Sequence, residues 1–164
     1  MANTYTQLYV QVVFAVQGRA SLIPPAHAEE LYKFITGIVT RRGQKMMAIN
    51  GMPDHLHLLL GVLPDVALSD VVRDVKAGSS RFINERAWGR GRFAWQAGFG
   101  AFSYSASQIP DVARYIERQP EHHAHRTFGQ EYELLLQKFG VRYEQRYLFG
   151  AIPEDDAEGT GENC

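Results

Sequence analysis

Residues 54–60 read Asp-His-Leu-His-Leu-Leu-Leu, two histidines separated by one apolar residue inside a run that otherwise has the character of a buried strand. Successive side chains on a strand point to opposite faces, so His55 and His57 emerge together while Leu56, Leu58 and Leu60 enter the core. Two imidazoles held on rigid backbone at this spacing make half of a metal site. A fold seldom places two costly polar rings in a strand without using them. A pair of surface histidines on the exposed face of an ordinary antiparallel strand would show the same alternation.

The flanking segments say what kind of sheet this strand joins. From Tyr5 to Val16 the chain alternates, with Leu8, Val10, Val12, Phe14 and Val16 on one face and Tyr9, Gln11, Val13 and Ala15 on the other, which predicts a long first strand. After Pro24-Pro25, the residues Leu31, Phe34, Ile35, Ile38 and Val39 fall at helical spacing over 26–42, with Gly43 as a C-terminal cap. Gln44–Asn50 and Pro53–Val62 read as two strands joined by Asn50-Gly51, since both residues tolerate positive φ. A second helix over 67–87 carries Leu68, Val71, Val72, Val75, Phe82 and Ile83, and Gly78-Ser79-Ser80 would loosen one of its turns. Gly100–Ser105 makes a fourth strand.

This order of strand, helix, strand, strand, helix, strand predicts an α+β, ferredoxin-like fold (split βαβ, RRM-like): an antiparallel sheet with helices on one face. The first and third strands are then central, so His55 and His57 sit in the middle of the open face, where a further helix can dock. Such a helix begins at Ser107 or Gln108, has Pro110 in its first turn and runs to Gln119. A last amphipathic helix starts at Thr127 with a capping-box pair, Thr127 and Gln130, and ends near Gly140.

With 164 residues, 45% of them hydrophobic and 21% charged, the chain suits one globular domain with a real core. The expectation is a single catalytic domain over 1–150 and a disordered acidic tail over 151–164. That tail concentrates Glu154, Asp155, Asp156, Glu158 and Glu162 and has no Lys or Arg, so the rest of the chain carries a mildly basic balance of about +4. No apolar stretch of about 18 residues predicts a membrane span, and no charged-then-apolar leader pattern predicts secretion. The single cysteine, Cys164, excludes an internal disulfide and agrees with a reducing cytosol, so a cytoplasmic location is expected.

In the docking helix Tyr115 and Gln119 stand four residues apart and share a face that can look at the histidines. A tyrosine hydroxyl is a weak nucleophile at neutral pH. Beside a divalent cation that binds a phosphate, it can attack a phosphodiester and form a covalent intermediate. Gln119 could add an oxygen ligand to the two histidine nitrogens. Mixed nitrogen and oxygen ligands without thiolates suit Mg²⁺ or Mn²⁺ in function, although zinc or copper binds such a set more tightly.

These residues resemble a family, the HUH-type single-tyrosine transposases of the insertion-sequence 200/605 group. The match is His55-Leu56-His57 for the histidine-hydrophobic-histidine motif and Tyr115-Ile116-Glu117-Arg118-Gln119 for the tyrosine helix. Trp95-Gln96-Ala97-Gly98-Phe99-Gly100-Ala101-Phe102-Ser103 resembles the tryptophan-glutamine stretch before the last strand, and the likeness runs from about Tyr5 to Phe149. The resemblance implies that His55, His57 and Gln119 hold the metal and that Tyr115 is the nucleophile. It implies a DNA transposase that cleaves and rejoins single-stranded DNA through a 5′-phosphotyrosine with a free 3′-hydroxyl on the other fragment. It also implies homodimers that recognise hairpin ends of a mobile element.

Arg73, Lys76, Arg81, Arg86, Arg90 and Arg92 lie in one window with only Asp74 and Glu85 against them, enough to neutralise several phosphates, although a solvated helix face and loop would look alike. Trp88, Phe93 and Trp95 could stack on unpaired bases, with core or dimer packing the plainer account. His122, His123 and His125 lack the partners of a tetrahedral zinc set and read as cations at a helix C-terminus or beside phosphate. Tyr104 and Tyr9 are alternative nucleophiles in principle, with core packing simpler. Asp54 is either a turn residue after Pro53 or a histidine's partner. Two other functions remain compatible with the chain: a domesticated, repeat-associated nickase, and a non-catalytic ferredoxin-like module that binds single-stranded nucleic acid.

Overall fold

A computed structural model of the chain describes residues 3–89, 91–145 and 148. The acidic tail over 151–164 and Arg90 therefore lie outside the described residues. Four strands, β1 (Leu8–Ala15), β2 (Lys45–Met52), β3 (His55–Val62) and β4 (Gly100–Tyr104), form one sheet in the order β2-β3-β1-β4. All neighbouring pairs are antiparallel. With α1 (Ala28–Arg41) and α2 (Leu68–Arg86) as crossovers, this is the expected ferredoxin-like arrangement, with β1 and β3 central.

The period-2 pattern of the central strands sorts their side chains into two layers. Val12, Phe14, Leu56, Leu58 and Leu60 pack beneath α1 and α2 against Leu31, Ile35, Val71 and Val75, all buried. Gly78 does not loosen α2, which is continuous. A Cβ at residue 78 would lie 2.7 Å from Ile38 Cδ1, so the glycine lets the two helices approach closely. Phe93, Trp95 and Trp88 belong to this layer: Phe93 is buried, Trp95 meets Phe14 and Phe93 edge-on, and Trp88 stacks on His27.

The opposite face is covered in two halves. Helix α3 (Ile109–Glu117) packs Ile109, Val112 and Ile116 on Ala48 and Leu59, above β2 and β3. After the short α4 (Gln119–His123), α5 (Phe128–Lys138) packs Phe128, Leu135 and Leu136 on Val13, Ala15 and Phe102, above β1 and β4. The capping box expected at its start is present, with Thr127 Oγ1 accepting from the Gln130 backbone N–H. Gly100 admits this helix, because a Cβ there would stand 2.6 Å from the Tyr132 ring. The face over His55 and His57 thus becomes a seam between α3–α4 and α5.

Two expectations about connections need correction. The β2–β3 hairpin turns at Pro53-Asp54, and Asn50 and Gly51 lie inside β2, paired with His57 and Leu56. Gly51 serves close approach instead of a turn: a Cβ there would fall 2.2 Å from the His55 carbonyl oxygen. The tyrosine helix also does not run through Gln119. It breaks at Arg118 (φ −95°, ψ 21°), just ahead of Pro120, which cannot continue the backbone ladder.

Candidate active site

Strand alternation puts His55 and His57 side by side on the covered face, both fully buried, with ring centroids 5.2 Å apart. Each ring is held from behind by its Nδ1. Asp54 Oδ1 lies 2.7 Å from His55 Nδ1, so Asp54 is both a turn residue and a histidine partner. Gln11, diagonal to His57 on β1 and fully buried, puts Nε2 2.9 Å from His57 Nδ1, and the Tyr104 hydroxyl donates to Gln11 Oε1 at 2.8 Å. With their outer nitrogens held, both rings aim Nε2 into the seam.

Three side chains meet them there. Gln119, fully buried despite the helix break, places Oε1 3.2 Å from His55 Nε2. Glu131, on α5 and 2% exposed, places Oε1 2.5 Å from His57 Nε2 and 3.8 Å from His55 Nε2. His123 Nε2 lies 3.2 Å from Glu131 Oε2 and 3.1 Å from Gln119 Oε1. Phe128 stacks on His55 with ring centroids 4.2 Å apart and closes that side to water. The Tyr115 ring stands 6.2 Å from that of His57, and Tyr115 lines the same cleft as Glu131.

The structure thus brings together His55, His57, Tyr115 and Gln119, and adds Glu131, which no motif marks, and His123. Glu131 carried a signal. Phe128, Glu131 and Leu135 follow the i, i+3, i+7 spacing of a buried helix face, where an acid is out of place unless it has a partner. His123, read as a helix-end cation, instead faces inward and pairs with that acid.

The electrostatics of the seam follow from burial and this one carboxylate. Burial alone would raise the Glu131 carboxyl, but hydrogen bonds from His123 and His57 outweigh it and hold the group well below the usual carboxylate range. Burial pushes His57 down against the pull of Glu131, so His57 is a neutral ring donating to a carboxylate. His123 is opposed by burial but raised overall by Glu131. Burial first, and the Glu131 charge second, push the Tyr115 phenol up, so it keeps its proton at neutral pH.

His55, His57 and Glu131 offer ligand atoms that all lie within 4.8 Å of one another. With His55 Nδ1–H donating to Asp54 Oδ1, the Nε2 lone pair faces two oxygens, Gln119 Oε1 and Glu131 Oε1. Converging lone pairs in a buried seam fit a cation, and nitrogen with anionic oxygen suits a divalent one. A half-turn of the Gln11 amide gives the same result at His57, since its oxygen would then accept the Nδ1 proton and free Nε2 inward.

The basic window divides across α2. Arg73, Lys76 and Arg92 line a groove with Trp95, Gln96 and Gly98, whereas Arg81 and Arg86 line another with Arg41 and Arg42. Arg86 is paired with Glu30, and Arg73 with Asp70 and Asp74. No helix among the described residues is long and apolar enough to cross a membrane.

Comparison with known proteins identifies the family. Residues 4–119 match the family described as transposase, IS200-like. The chain is 27% identical over 120 residues to the ISDra2 transposase TnpA of Deinococcus radiodurans, an alignment covering 69% of this chain and 84% of that protein. A Deinococcus radiodurans R1 crystal structure assigned as a transposase superposes with a TM-score of 0.57 and 25% identity, covering 73% of this chain and 95% of that one. A REP-associated tyrosine transposase bound to a REP hairpin shares the fold, with a TM-score of 0.57, 17% identity, and 75% and 73% of the two chains covered. The match from the first strand through Gln119 shows that the chain belongs to the IS200-like transposase family.

Proposed function

We propose that this transposase cleaves and rejoins single-stranded DNA through a 5′-phosphotyrosine on Tyr115, with a divalent cation held by His55, His57 and Glu131, and with Gln119 beside it. The observation that supports the reading is that Tyr115 stands beside the buried seam where His55, His57 and Glu131 converge, with Gln119 Oε1 next to His55. When bound, Mg²⁺ or Mn²⁺ supplies positive charge that polarises a phosphate and favours the phenolate.

The chain's own residues do the rest. Asp54 and Gln11 fix the two rings, and Asn50, whose Nδ2 donates to the Glu117 carbonyl at 2.9 Å, ties the end of the tyrosine helix to β2. Tyr115 Oη attacks phosphorus, the bond to the 3′-oxygen breaks, and that oxygen takes up a proton as the phenol loses one. The reverse attack by a 3′-hydroxyl rejoins the strand, so the phosphodiester bond energy is kept. Arg73, Lys76 and Arg92, and across α2 Arg81 and Arg86, would contact the backbone of DNA, here hairpin ends bound by a homodimer. Incubating the protein with single-stranded DNA from its own genomic flanks, with and without Mg²⁺, tests the reading: a covalent adduct is expected only with metal.

A further inference from the structure

Helices α3 and α5 do not close over the sheet along their whole length. Between them lies a cleft of about 350 Å³ whose inner end is Tyr115 and Glu131. Val112, Leu134, Leu135 and the Tyr104 ring line it together with the polar Gln108. Arg126 and Lys138 stand at its mouth, both exposed. Both acids of the cleft are already paired, Asp111 with Arg114 and Glu131 with His57 and His123. The volume is at the small end of the roughly 300–1,000 Å³ typical of ligand sites, room for one nucleotide and too little for a base pair.

The chemistry decides which nucleotide. In phosphoryl transfer the attacking and leaving oxygens stand roughly in line, so the 3′-oxygen departs on the side of phosphorus away from Tyr115. The nucleotide 5′ of the break therefore leaves, and the one 3′ of it stays joined through its phosphate to Tyr115. That retained nucleotide needs a place directly beside the phenol, and the cleft is the space beside it.

We propose that the cleft between α3 and α5 is the binding site for the first nucleotide of the covalently held strand. Its base lies against Tyr104, Leu134 and Leu135, and the following phosphates run out past Arg126 and Lys138. The inference rests on the tyrosine-transferase reading and adds to it a site that holds the strand between cleavage and rejoining. Two exposed cations beside a surface of Tyr104, Leu134 and Leu135 match a strand whose base is buried and whose backbone is exposed.

The test is single-turnover adduct formation on single-stranded oligonucleotides copied from the genomic flanks, with an abasic residue immediately 3′ or immediately 5′ of the cleavage point. Leu134→Trp narrows the cleft from a position that is 44% exposed, so the fold should tolerate it. The 3′ abasic substrate and Leu134→Trp are each expected to slow adduct formation about tenfold, the loss of one stacked base. Combined, they should slow it little further, since both remove the same contact, and the 5′ abasic substrate should react at nearly the normal rate. A 5-iododeoxyuridine at the 3′ position should photocrosslink to Tyr104 or to residues 126–138. Normal rates with both changes, or a crosslink confined to α1 or α2, would overturn the cleft while leaving the transferase intact. No adduct with any unmodified flank would overturn the transferase reading and the cleft with it.

Discussion

Gln11 and His57 meet across two strands, with the amide nitrogen 2.9 Å from His57 Nδ1 and the Tyr104 hydroxyl behind it. This contact governs which nitrogen of His57 is free to face the seam. Only with the amide oxygen toward Nδ1 does the ring present a lone pair to a cation. Gln11→Leu removes that control and leaves Nδ1 buried without a partner. We expect it to weaken Mn²⁺ binding, measured by titration calorimetry, by about 10- to 100-fold. Gln11→Glu, which can only accept at that nitrogen, should retain binding. Equal affinities in all three proteins would contradict the role.

Glu131 lies on a helix beyond residue 119, where the match to the family ends. If it is a ligand, Glu131→Gln keeps the shape and loses the charge. Mn²⁺ affinity should then fall by about tenfold or more, with the circular dichroism spectrum unchanged. The loss should appear in the metal titration itself, before any DNA is added.

Gly51 is the position where the hairpin tolerates no side chain. A Cβ there would lie 2.2 Å from the His55 carbonyl and 3.0 Å from Leu56 Cα, both backbone atoms that cannot step aside. Gly51→Ala should cost about 1–3 kcal/mol in urea unfolding. It should also reduce metal affinity, because the displaced backbone is that of His55. A wild-type denaturation midpoint would refute this account of the glycine.

Lys76 gives a pH signature. Burial pushes its amino group down to about 8 from an ordinary 10.5, while Nζ donates to the carbonyls of Gln96, at 2.8 Å, and Gly98. Between those values the unfolded chain binds the proton and the folded one does not, so stability rises with pH through this window. If Lys76 contacts phosphate, DNA affinity moves the other way, weakening from pH 7 to pH 9 as the charge is lost. Lys76→Arg should flatten the affinity change. A wild-type affinity independent of pH, measured by fluorescence anisotropy, would remove Lys76 from the DNA interface.

The parts of the site that were legible in the sequence are those set by local periodicity. Alternation along β3 gave His55 and His57 a common buried side, whereas Gln119 reaches the seam from beyond the break at Arg118 and not from the helical turn its spacing to Tyr115 suggests. The turn at Pro53-Asp54 was hidden by Asn50-Gly51, a strong hairpin signal locally. Register with β3 and the close approach at Gly51 override it, and both are tertiary facts. Gln11 and Glu131 were missed for a related reason: each reaches the histidines across an element boundary, at separations of 46 and 74 residues. No spacing rule links such positions, although an acid on the apolar face of α5 was a visible irregularity.

The central claim is that Tyr115 forms a covalent bond to DNA in this seam. The most direct measurement is a denaturing gel of the protein incubated with single-stranded DNA from its genomic flanks and Mg²⁺, comparing wild type with Tyr115→Phe. The account predicts a metal-dependent protein–DNA adduct in the wild type and none in the variant, with DNA binding by the variant retained. An adduct that persists in Tyr115→Phe would contradict it.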